Sequence, residues 1–403
     1  MIEKTLLLEV LERWNLWEKK MEAGIRRTSY IDKIMPYMKR KEVIALKGIR
    51  RSGKSTLVRQ LMMELIRKGA DKRQILFLNL EDYSLADHLD VELLEQAFQT
   101  YKEHTNNRKR TYFFIDEVQN IHGWERWVRT RYDLNEDLKI IITGSAASMI
   151  SRELSTLLTG RNISFSIMPL SFKEYQDFSK KPSLKEYLRF GGFPEVVLET
   201  DAEKKITLLQ QYFEDIIYKD IVNRYKIRNP KQLMAIARYF MDSSCSKVSV
   251  NKLSKVFGLS NDTISMYISH MIDAFLLFEV TFFSHSAKIR HDVTKLPKLY
   301  VLDNGFITAI GLKENLGQMF ENAVLIRLAE QYQDISYWSE LKSEVDFIVE
   351  NKAINATSSD KIHPRELDGL DRFQKLHSRM SKILITKSRS GQGMISLRNF
   401  LLN

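Results

Sequence analysis

The sequence contains a single cysteine, Cys245, among its 403 residues. One cysteine excludes an intrachain disulfide framework and a cysteine-rich metal site, and it fits a reducing compartment. No apolar run approaches the roughly 20 residues of a membrane-spanning helix, and the longest one, residues 274–283, is interrupted by Glu279. The first apolar stretch contains Glu3 and Glu9 and has no small-residue cleavage site. We therefore expect a cytoplasmic protein with no signal peptide and no membrane contact.

Acidic residues are outnumbered by basic ones, which gives a formal net charge of +11. Contents of 44% hydrophobic and 28% charged residues are typical of a globular protein, and the length predicts about two to three domains. The basic residues include separate clusters at 39–41, 108–110 and 180–181. Most such clusters are solvated, so the charge permits contact with a phosphate backbone without requiring it.

The most informative segment is Gly-Ile-Arg-Arg-Ser-Gly-Lys-Ser at residues 48–55, a complete phosphate-binding loop motif. A buried-strand pattern at 43–46 precedes it, and apolar residues at helical spacing follow it as far as Gly69. In this context, backbone N–H groups and a helix N-terminus face a polyphosphate. Lys54 is expected to reach the β- and γ-phosphates of ATP, and Ser55 to help hold Mg²⁺. The predicted nucleotide-binding residues are Gly48, Ile49, Arg50, Arg51, Ser52, Gly53, Lys54, Ser55 and Thr56.

A second motif, residues 111–119, is a hydrophobic strand that ends in two adjacent carboxylates. Asp116 at the strand tip is predicted to bind Mg²⁺, directly or through water. Glu117, on the opposite side of the pleat, is predicted to act on the attacking water as general base or positioning residue. A third strand ends in hydroxyl residues Thr143 and Ser145, which suit a γ-phosphate sensor but are also common in turns.

Alternating strand and helix patterns over the first part of the chain predict an α/β fold: a P-loop NTPase with a parallel sheet and helices on both faces. Its strands are expected at 43–47, 75–80, 112–115, 139–143 and 163–168. A helix-turn-helix pattern at 250–275, followed by two strand patterns, predicts a winged helix. The predicted divisions are an N-terminal amphipathic helix at 1–24, the P-loop ATPase domain at 25–175, a helical and winged-helix region at 184–310 and an α/β domain at 311–403.

These motifs together resemble the prokaryotic AAA-like ATPases of the archaeal-type P-loop group. The resemblance rests on the phosphate loop, the Phe-Phe-Ile-Asp-Glu-Val-Gln strand and Thr-Gly-Ser, and on Leu-Thr-Gly-Arg followed by Met-Pro-Leu-Ser-Phe-Lys-Glu-Tyr. The C-terminal half resembles the uncharacterised domain usually fused to these ATPases, through Phe-Gly-Gly-Phe-Pro-Glu, Leu-Tyr-Val-Leu-Asp-Asn-Gly and Glu-Val-Asp-Phe-Ile-Val. Almost the whole chain is covered.

The resemblance implies a sheet with an additional strand between the phosphate-loop and Asp-Glu strands, a winged helix, and a C-terminal restriction-endonuclease-like domain. It also implies that Arg161 is either an arginine finger acting on a neighbouring subunit of a homo-oligomer or a structural arginine that caps a turn. A second sensor arginine is not recognisable, which leaves classical ring formation open.

The endonuclease-like part departs from the pattern of active members of that fold. Asp346 and Glu321 stand where two acids belong, but the segment expected to carry Glu-x-Lys has Asn355 and Thr357 instead. The literal Glu-x-Lys at 350–352 follows Asp346 by four residues; on one extended strand the two acids would lie roughly 13 Å apart. They could not share a magnesium ion, whose ligands lie at about 2.1 Å. We predict no nuclease activity.

DNA binding is left open by the sequence. The second helix of the helix-turn-helix pattern, residues 261–273, contains no lysine or arginine, so it is not expected to read a base sequence. Basic residues lie instead in the predicted wing and on the preceding helix: Lys288, Arg290, Lys295, Lys298, Lys252 and Lys255. Backbone contact through the wing and use of the winged helix for protein contacts are both consistent with this distribution.

Two functions remain after these observations. The first is an ATP-hydrolysing switch or motor that requires ATP and Mg²⁺ and passes motion to the C-terminal domains. The second is a nucleotide-gated module that binds DNA or a protein with negligible hydrolysis. A small-molecule kinase is disfavoured because the Asp-Glu strand end is present and no arginine-rich acceptor lid is recognisable.

Overall fold

The computed structural model of the protein describes residues 2–18, 22–134, 136–145, 160–284, 295–341, 343–359 and 361–403. The chain divides into two compact units, Met1–Ile167 and Met168–Asn403. Across the described ranges, no helix combines the length and the apolar composition needed to span a bilayer. The finer domain limits at 24, 175, 184 and 310 remain predictions.

The first unit is built on a parallel sheet, as the sequence predicted. Its strands are β1 (Val43–Lys47), β2 (Ile75–Asn79), β3 (Thr111–Asp116), β4 (Leu138–Gly144) and β5 (Asn162–Ser166). They are ordered β2-β3-β4-β1-β5, and each neighbouring pair is parallel. β4 lies between the phosphate-loop strand β1 and the Asp-Glu strand β3. The carboxyl ends of β1, β4 and β3 are therefore neighbours at one edge of the sheet.

Helices cover both faces of this sheet. They are α1 (Lys4–Trp14), α2 (Thr28–Ile34), α3 (Lys54–Arg67), α4 (Val91–Thr105) and α5 (Trp124–Asp133). Val43 and Ala45 of β1 pack with α1, α4 and α5, whereas Ile44 and Leu46 pack with α2 and α3. Successive strand side chains alternate between the faces, and both faces are buried, which explains why β1 is apolar throughout.

The N-terminal helix is shorter than predicted. α1 ends at Trp14 because Asn15 turns toward β2, the edge strand of the sheet. Asn15 Nδ2 donates to the Phe77 carbonyl (2.9 Å), and the Phe77 N–H donates to Asn15 Oδ1 (2.7 Å). Trp17 Nε1 donates to the Ile75 carbonyl (2.8 Å). These side chains occupy backbone groups that an edge strand would otherwise leave unpaired.

The second unit is α/β with a mixed sheet. Its helices are α6 (Phe172–Phe178), α7 (Leu184–Phe190), α8 (Pro194–Leu198), α9 (Ala202–Asp215), α10 (Asn223–Tyr225), α11 (Pro230–Asp242), α12 (Val250–Phe257), α13 (Asn261–Asp273), α14 (Asn304–Ile310), α15 (Leu316–Ala329), α16 (Pro364–Leu376) and α17 (Leu397–Leu402), with a π-helical stretch at Ile216–Val222. Its strands are β6 (Ser246–Lys247), β7 (Leu277–Phe282), β8 (Lys298–Val301), β9 (Ser336–Glu340), β10 (Ser343–Val349), β11 (Lys352–Ala356), β12 (Ser381–Thr386) and β13 (Met394–Ser396). The sheet order is β13-β12-β11-β10-β9-β7-β8-β6.

Two motifs of the second unit are joined by one buried carboxylate. Asp303 accepts hydrogen bonds from the N–H groups of Gly192 and Gly305, both at 2.8 Å. A Cβ on Gly191 would lie 1.7 Å from Asp303 Oδ1, so a side chain there would displace the carboxylate. The Gly-Gly-Phe-Pro and Leu-Asp-Asn-Gly motifs therefore have a packing role in this fold.

The chain reverses direction directly after the strand that carries Asp346. β10 ends at Val349, Glu350 adopts φ +48°, and β11 begins at Lys352, which pairs with Val349. Glu350 therefore lies in the turn after the strand that carries Asp346, so the extended-strand spacing assumed for these two acids does not apply. The reversal brings Asn355 beside Asp346, so that the Asp346 N–H donates to Asn355 Oδ1 (2.9 Å).

Candidate nucleotide-binding site

Residues 48–53 form a tight loop between β1 and α3, and its backbone explains the glycines. A Cβ on Gly48 would lie 2.1 Å from the backbone oxygen of Ile167, so no larger residue fits. Gly53 adopts φ +91°, in the left-handed region that favours glycine. α3 begins directly afterwards at Lys54, and its first N–H groups have no partner within the helix. Loop amides and a helix N-terminus arranged in this way form an anion-binding site.

The Lys54 ammonium lies inside this loop and is 4% exposed. It donates to the backbone oxygens of Gly48 (3.0 Å) and Ile49 (3.1 Å), and it lies 3.8 Å from Glu117 Oε1. The hydroxyl of Ser52 is buried and has no hydrogen-bond partner in the described part of the chain. Buried polar groups are rarely left unpaired, and a phosphate oxygen would satisfy this one. The loop therefore fits a polyphosphate.

Asp116 and Thr143 end neighbouring strands, and Thr143 Oγ1 donates a hydrogen bond to Asp116 Oδ1. Burial raises the pKa of Asp116 to about 6, and the adjacent charge of Glu117 contributes to the rise. Hydrogen bonds from Thr143 and Ser55 and the charge of Lys54 oppose it. A desolvated carboxylate of this kind is stabilised by a bound cation. Ser55 and Asp116 supply the oxygen ligands that Mg²⁺ prefers.

Glu117 is oriented differently from the prediction. β3 ends at Asp116, and Glu117 adopts φ +57°, so the alternation of the pleat does not extend to it. Its N–H donates to Thr143 Oγ1 (2.9 Å), and its carboxylate faces Lys54. The placement on the opposite side of the pleat is wrong, because it assumed that the strand continues. Glu117 nevertheless lies in the same site as the phosphate loop.

Gln119 has a place in the site that the sequence did not reveal. Its Nε2 donates to Glu117 Oε2 and to Ser145 Oγ (3.3 Å). Because a carboxylate accepts hydrogen bonds and cannot donate them, Nε2 must face Glu117 and Oε1 must point elsewhere. That oxygen is buried without a partner among the residues the structure describes. Gln119 ends the quoted Asp-Glu motif, but its contact with Ser145 arises from the arrangement of separate strands.

Three other predicted residues belong to the phosphate loop or to the first turn of α3. Arg50 Nη1 lies 3.0 Å from Glu81 Oε1, and Arg51 is exposed with φ +68°. Thr56 is half-buried in the first turn of α3. The structure therefore brings one set of predicted residues together: Gly48, Ile49, Arg50, Arg51, Ser52, Gly53, Lys54, Ser55, Thr56, Asp116, Glu117, Thr143 and Ser145.

Arg161 lies apart from this set. Its carbonyl accepts the N–H of Val43 (2.8 Å) at the start of β1, whereas the phosphate loop follows the end of that strand. Five residues of strand separate the two ends by about 13 Å. The Arg161 side chain lies 3.5 Å from Asp133 Oδ1 and over the ring of Tyr132, 5.8 Å from its centre. Arg161 therefore does not face the phosphate loop of its own chain.

The basic residues predicted for the wing have different positions. Lys288 and Arg290 lie outside the described residues. Lys295 is exposed, with its ammonium 4.6 Å from the centre of the Phe282 ring. Lys298 is 3% exposed and buried among carboxylates. The expectation that Lys298 offers a surface charge to DNA is wrong, because its ammonium faces the interior of the second unit.

The two acids predicted for the endonuclease-like part come together in the second unit. Glu321 and Asp346 line a cavity of about 420 Å³ together with Glu344, Asn355 and Thr357. The cavity lining is rich in carboxylates, and Asn355 and Thr357 lie where the sequence placed them, beside the acids.

Comparison with known proteins finds matching domain models for two segments of the chain. A family model described as an AAA domain matches residues 40–176, and one described as a domain of unknown function (DUF8612) matches residues 181–316. The matched AAA segment contains the phosphate loop and the Asp-Glu strand. Residues 40–176 are therefore similar to an AAA domain, and they contain a phosphate-binding loop.

Two relatives are similar over most of their length. The Methanocaldococcus jannaschii "Uncharacterized protein MJ1544" is 30% identical over 384 residues, covering 88% of this chain and 82% of the relative. A Haemophilus influenzae "Uncharacterized protein" is 31% identical over 343 residues, covering 81% and 84%. The chain belongs to the family of these relatives. The solved S. cerevisiae Hsp104–ADP complex is similar at a TM-score of 0.33 and 13% identity, over 62% of this chain and 38% of that one.

Proposed function

We propose that the protein binds ATP together with Mg²⁺ and hydrolyses the nucleotide. The supporting observation is the convergence of Lys54, Asp116 and Glu117 on one loop that opens at a helix N-terminus. The match to an AAA domain over residues 40–176 supports nucleotide binding by the same segment. A cation, a desolvated carboxylate and a second carboxylate are the groups that phosphoryl transfer to water requires.

Lys54 and Asp116 hold the reactants in this proposal. Lys54 exchanges two loop carbonyls for phosphate oxygens, which form stronger, charge-assisted hydrogen bonds. Ser55 and Asp116 would hold Mg²⁺, which when bound neutralises charge on the phosphates. Thr143, which donates to Asp116, keeps that carboxylate oriented toward the metal position.

Glu117 acts on the attacking water. When Lys54 turns to the phosphates, Glu117 loses its neighbouring cation and keeps Gln119 as its partner. The carboxylate then accepts a hydrogen bond, and finally a proton, from the water. Thr143 accepts the Glu117 N–H and bonds Asp116, so it links the metal-binding and water-activating residues.

Two measurements on the full chain test this function. Calorimetry with Mg²⁺ and a non-hydrolysable ATP analogue should detect binding, and Mg²⁺-dependent phosphate release should detect hydrolysis. Binding without release would favour the alternative, a nucleotide-gated module with negligible hydrolysis. An absence of any binding heat would contradict both functions.

Gln119→Leu is expected to lower kcat by about 10- to 100-fold with little change in KM, because a small displacement of a catalytic group costs this much. Leucine keeps the approximate volume but removes the donor to Glu117 and the oxygen left without a partner. Steady-state phosphate release against ATP concentration separates the two constants. Gln99→Leu is the matched control, because Gln99 is exposed and bonds Glu95 on the surface. A Gln119→Leu enzyme with wild-type kcat would show that Gln119 does not contribute to hydrolysis.

We also propose that Arg161 acts on the nucleotide of a neighbouring subunit. Its position at the opposite end of β1 from the phosphate loop of its own chain supports a role in trans. Its contacts with Asp133 and Tyr132 support the structural alternative. Arginine fingers raise the rate of hydrolysis about 10³- to 10⁵-fold. The rate of phosphate release by Arg161→Ala should therefore be at least about 100-fold lower than that of the wild type.

Subunit mixing distinguishes these roles. In a mixed oligomer, a Glu117→Gln subunit supplies an intact Arg161 to an Arg161→Ala subunit, so the mixture should recover phosphate release that neither variant shows alone. Light scattering, with and without a non-hydrolysable nucleotide, gives the subunit count. A monomer under both conditions, or an active Arg161→Ala variant, would favour the structural role.

The second unit is proposed to respond to the nucleotide. Helices α12 and α13 with the antiparallel strands β7 and β8 are proposed to form a winged helix, and strands β9–β13 with their helices an endonuclease-like domain. Exposed Lys252 and Lys255 on α12 support contact with a phosphate backbone. DNA affinity measured with ATP and with ADP, together with its salt dependence, tests this coupling. Equal DNA affinities with ATP and with ADP would favour the alternative, in which the winged helix binds protein partners.

A further inference from the structure

Three carboxylates of the second unit converge on one buried ammonium group. Lys298, at the start of β8, is 3% exposed. Its Nζ lies 2.6 Å from Glu344 Oε1, 3.3 Å from Glu321 Oε1 and 3.4 Å from Asp346 Oδ1. Glu344 and Asp346 come from β10, and Glu321 comes from α15. One lysine therefore joins two strands and a helix that are distant in the sequence.

The same three carboxylates also contact other protein donors. Tyr300 Oη donates to Glu321 Oε1 (2.7 Å), and the Ala356 N–H donates to Asp346 Oδ2 (3.0 Å). Lys247 Nζ lies 2.7 Å from Glu344 Oε2. Each of the three carboxylates is thus paired with a second donor of the chain besides Lys298, as buried charges require.

The endonuclease-like fold implies a divalent metal here, and the residues present do not fit one. Asn355 replaces a carboxylate, and its amide is committed: Oδ1 accepts the Asp346 N–H, and Nδ2 donates to the Glu366 carbonyl (2.9 Å). In the part of the chain that the structure describes, no three His, Cys, Asp or Glu side chains are grouped to hold a metal ion.

We propose that the Lys298 ammonium is the resident cation of these three carboxylates, which line the cavity. It pairs with Glu321, Glu344 and Asp346 where an active nuclease of this fold would need a metal, so the cavity beside them takes neither Mg²⁺ nor Mn²⁺. The carboxylates then serve to join β8, β10 and α15. This inference does not depend on nucleotide hydrolysis by the first unit, because it concerns residues of the second unit alone.

Lys298→Met tests the balance of charge. Methionine fills a similar volume, but it removes the cation beside Glu321 and Asp346 and leaves Glu344 with Lys247. Breaking a buried ion pair in this way is strongly destabilising. We expect the midpoint of thermal unfolding of the full chain to fall by about 10 °C. Lys382→Met is the matched control: Lys382 is paired with Asp371 on the surface of the same unit, and its loss should shift the midpoint by less than about 2 °C.

Neutralising two of the carboxylates should restore part of the thermal stability that Lys298→Met loses. Adding Glu321→Gln and Asp346→Asn to Lys298→Met removes two of the unbalanced charges, so the triple variant should recover at least half of the fall, or should fold if Lys298→Met alone does not. Lys298→Met melting like the wild type, or a triple variant no more stable than Lys298→Met, would overturn the proposal.

Metal provides the second arm of the test. The wild-type midpoint should be the same in millimolar Mn²⁺ and in EDTA, with no nucleotide present. If Mn²⁺ raises the midpoint and Asp346→Asn abolishes that rise, the cavity is a metal site and the resident-cation proposal fails. If Mn²⁺ raises the midpoint equally in the wild type and in Asp346→Asn, the metal binds at another site. That result, together with the fall expected for Lys298→Met, supports the proposal.

Discussion

Glu117→Gln is expected to release phosphate at least about 100-fold more slowly than the wild type at saturating ATP. Glutamine preserves the size of the side chain but cannot take up a proton from the attacking water. The Glu117 carboxylate lies 3.8 Å from Lys54 and is bonded by Gln119, so it belongs to the site that would hold the γ-phosphate. The loss should appear in kcat, because Glu117 acts on the water and not on the bound nucleotide.

Binding measured by calorimetry separates this effect from a damaged site. Glu117→Gln should bind a non-hydrolysable ATP analogue with an affinity within about threefold of the wild type, since the phosphate loop is unchanged. Glu92→Gln provides the matched control, because Glu92 is exposed in the first turn of α4. Phosphate release by Glu117→Gln at the wild-type rate would contradict the proposed role.

The phosphate loop could be predicted from sequence because its strand, loop and helix are contiguous in the chain. The residues that hold the loop in shape could not be predicted, because they are distant from it in the sequence. The backbone of Ile167 leaves no room for a side chain at Gly48. Arg27, which is 2% exposed, donates from Nη1 to the Ser52 carbonyl (2.8 Å) and is itself bonded through its N–H by Gln60. No local pattern connects residue 27 with residue 52.

Side-chain direction was harder to predict than the position of the elements. The strand β1 has the predicted bounds, 43–47. Glu117 was misplaced because one residue with positive φ ends the alternation of the strand. Lys298 was read as a surface charge because the strand pattern does not show its partners, which lie 23 to 48 residues later in the chain.

Lys54→Ala is expected to weaken binding of Mg²⁺ and ATP by at least about 100-fold. The Lys54 ammonium is buried in the loop, and alanine would remove its hydrogen bonds to the phosphates, each worth about 1.5–3 kcal/mol when a charged group takes part. Two such bonds correspond to a loss of roughly 100-fold or more. Calorimetry with a non-hydrolysable analogue measures this change directly, and phosphate release should fall with it.

The matched control tests whether the effect belongs to the loop or to the helix. Lys68 lies at the opposite end of α3 and is exposed, so Lys68→Ala removes the same charge from the same helix without touching the loop. We expect it to bind nucleotide like the wild type. Lys54→Ala should keep the wild-type circular dichroism spectrum, because the carbonyls of Gly48 and Ile49 can bond water once the ammonium is gone. Equal nucleotide affinity in Lys54→Ala and Lys68→Ala would show that the loop does not hold the phosphates, and the proposed ATPase would fail with it.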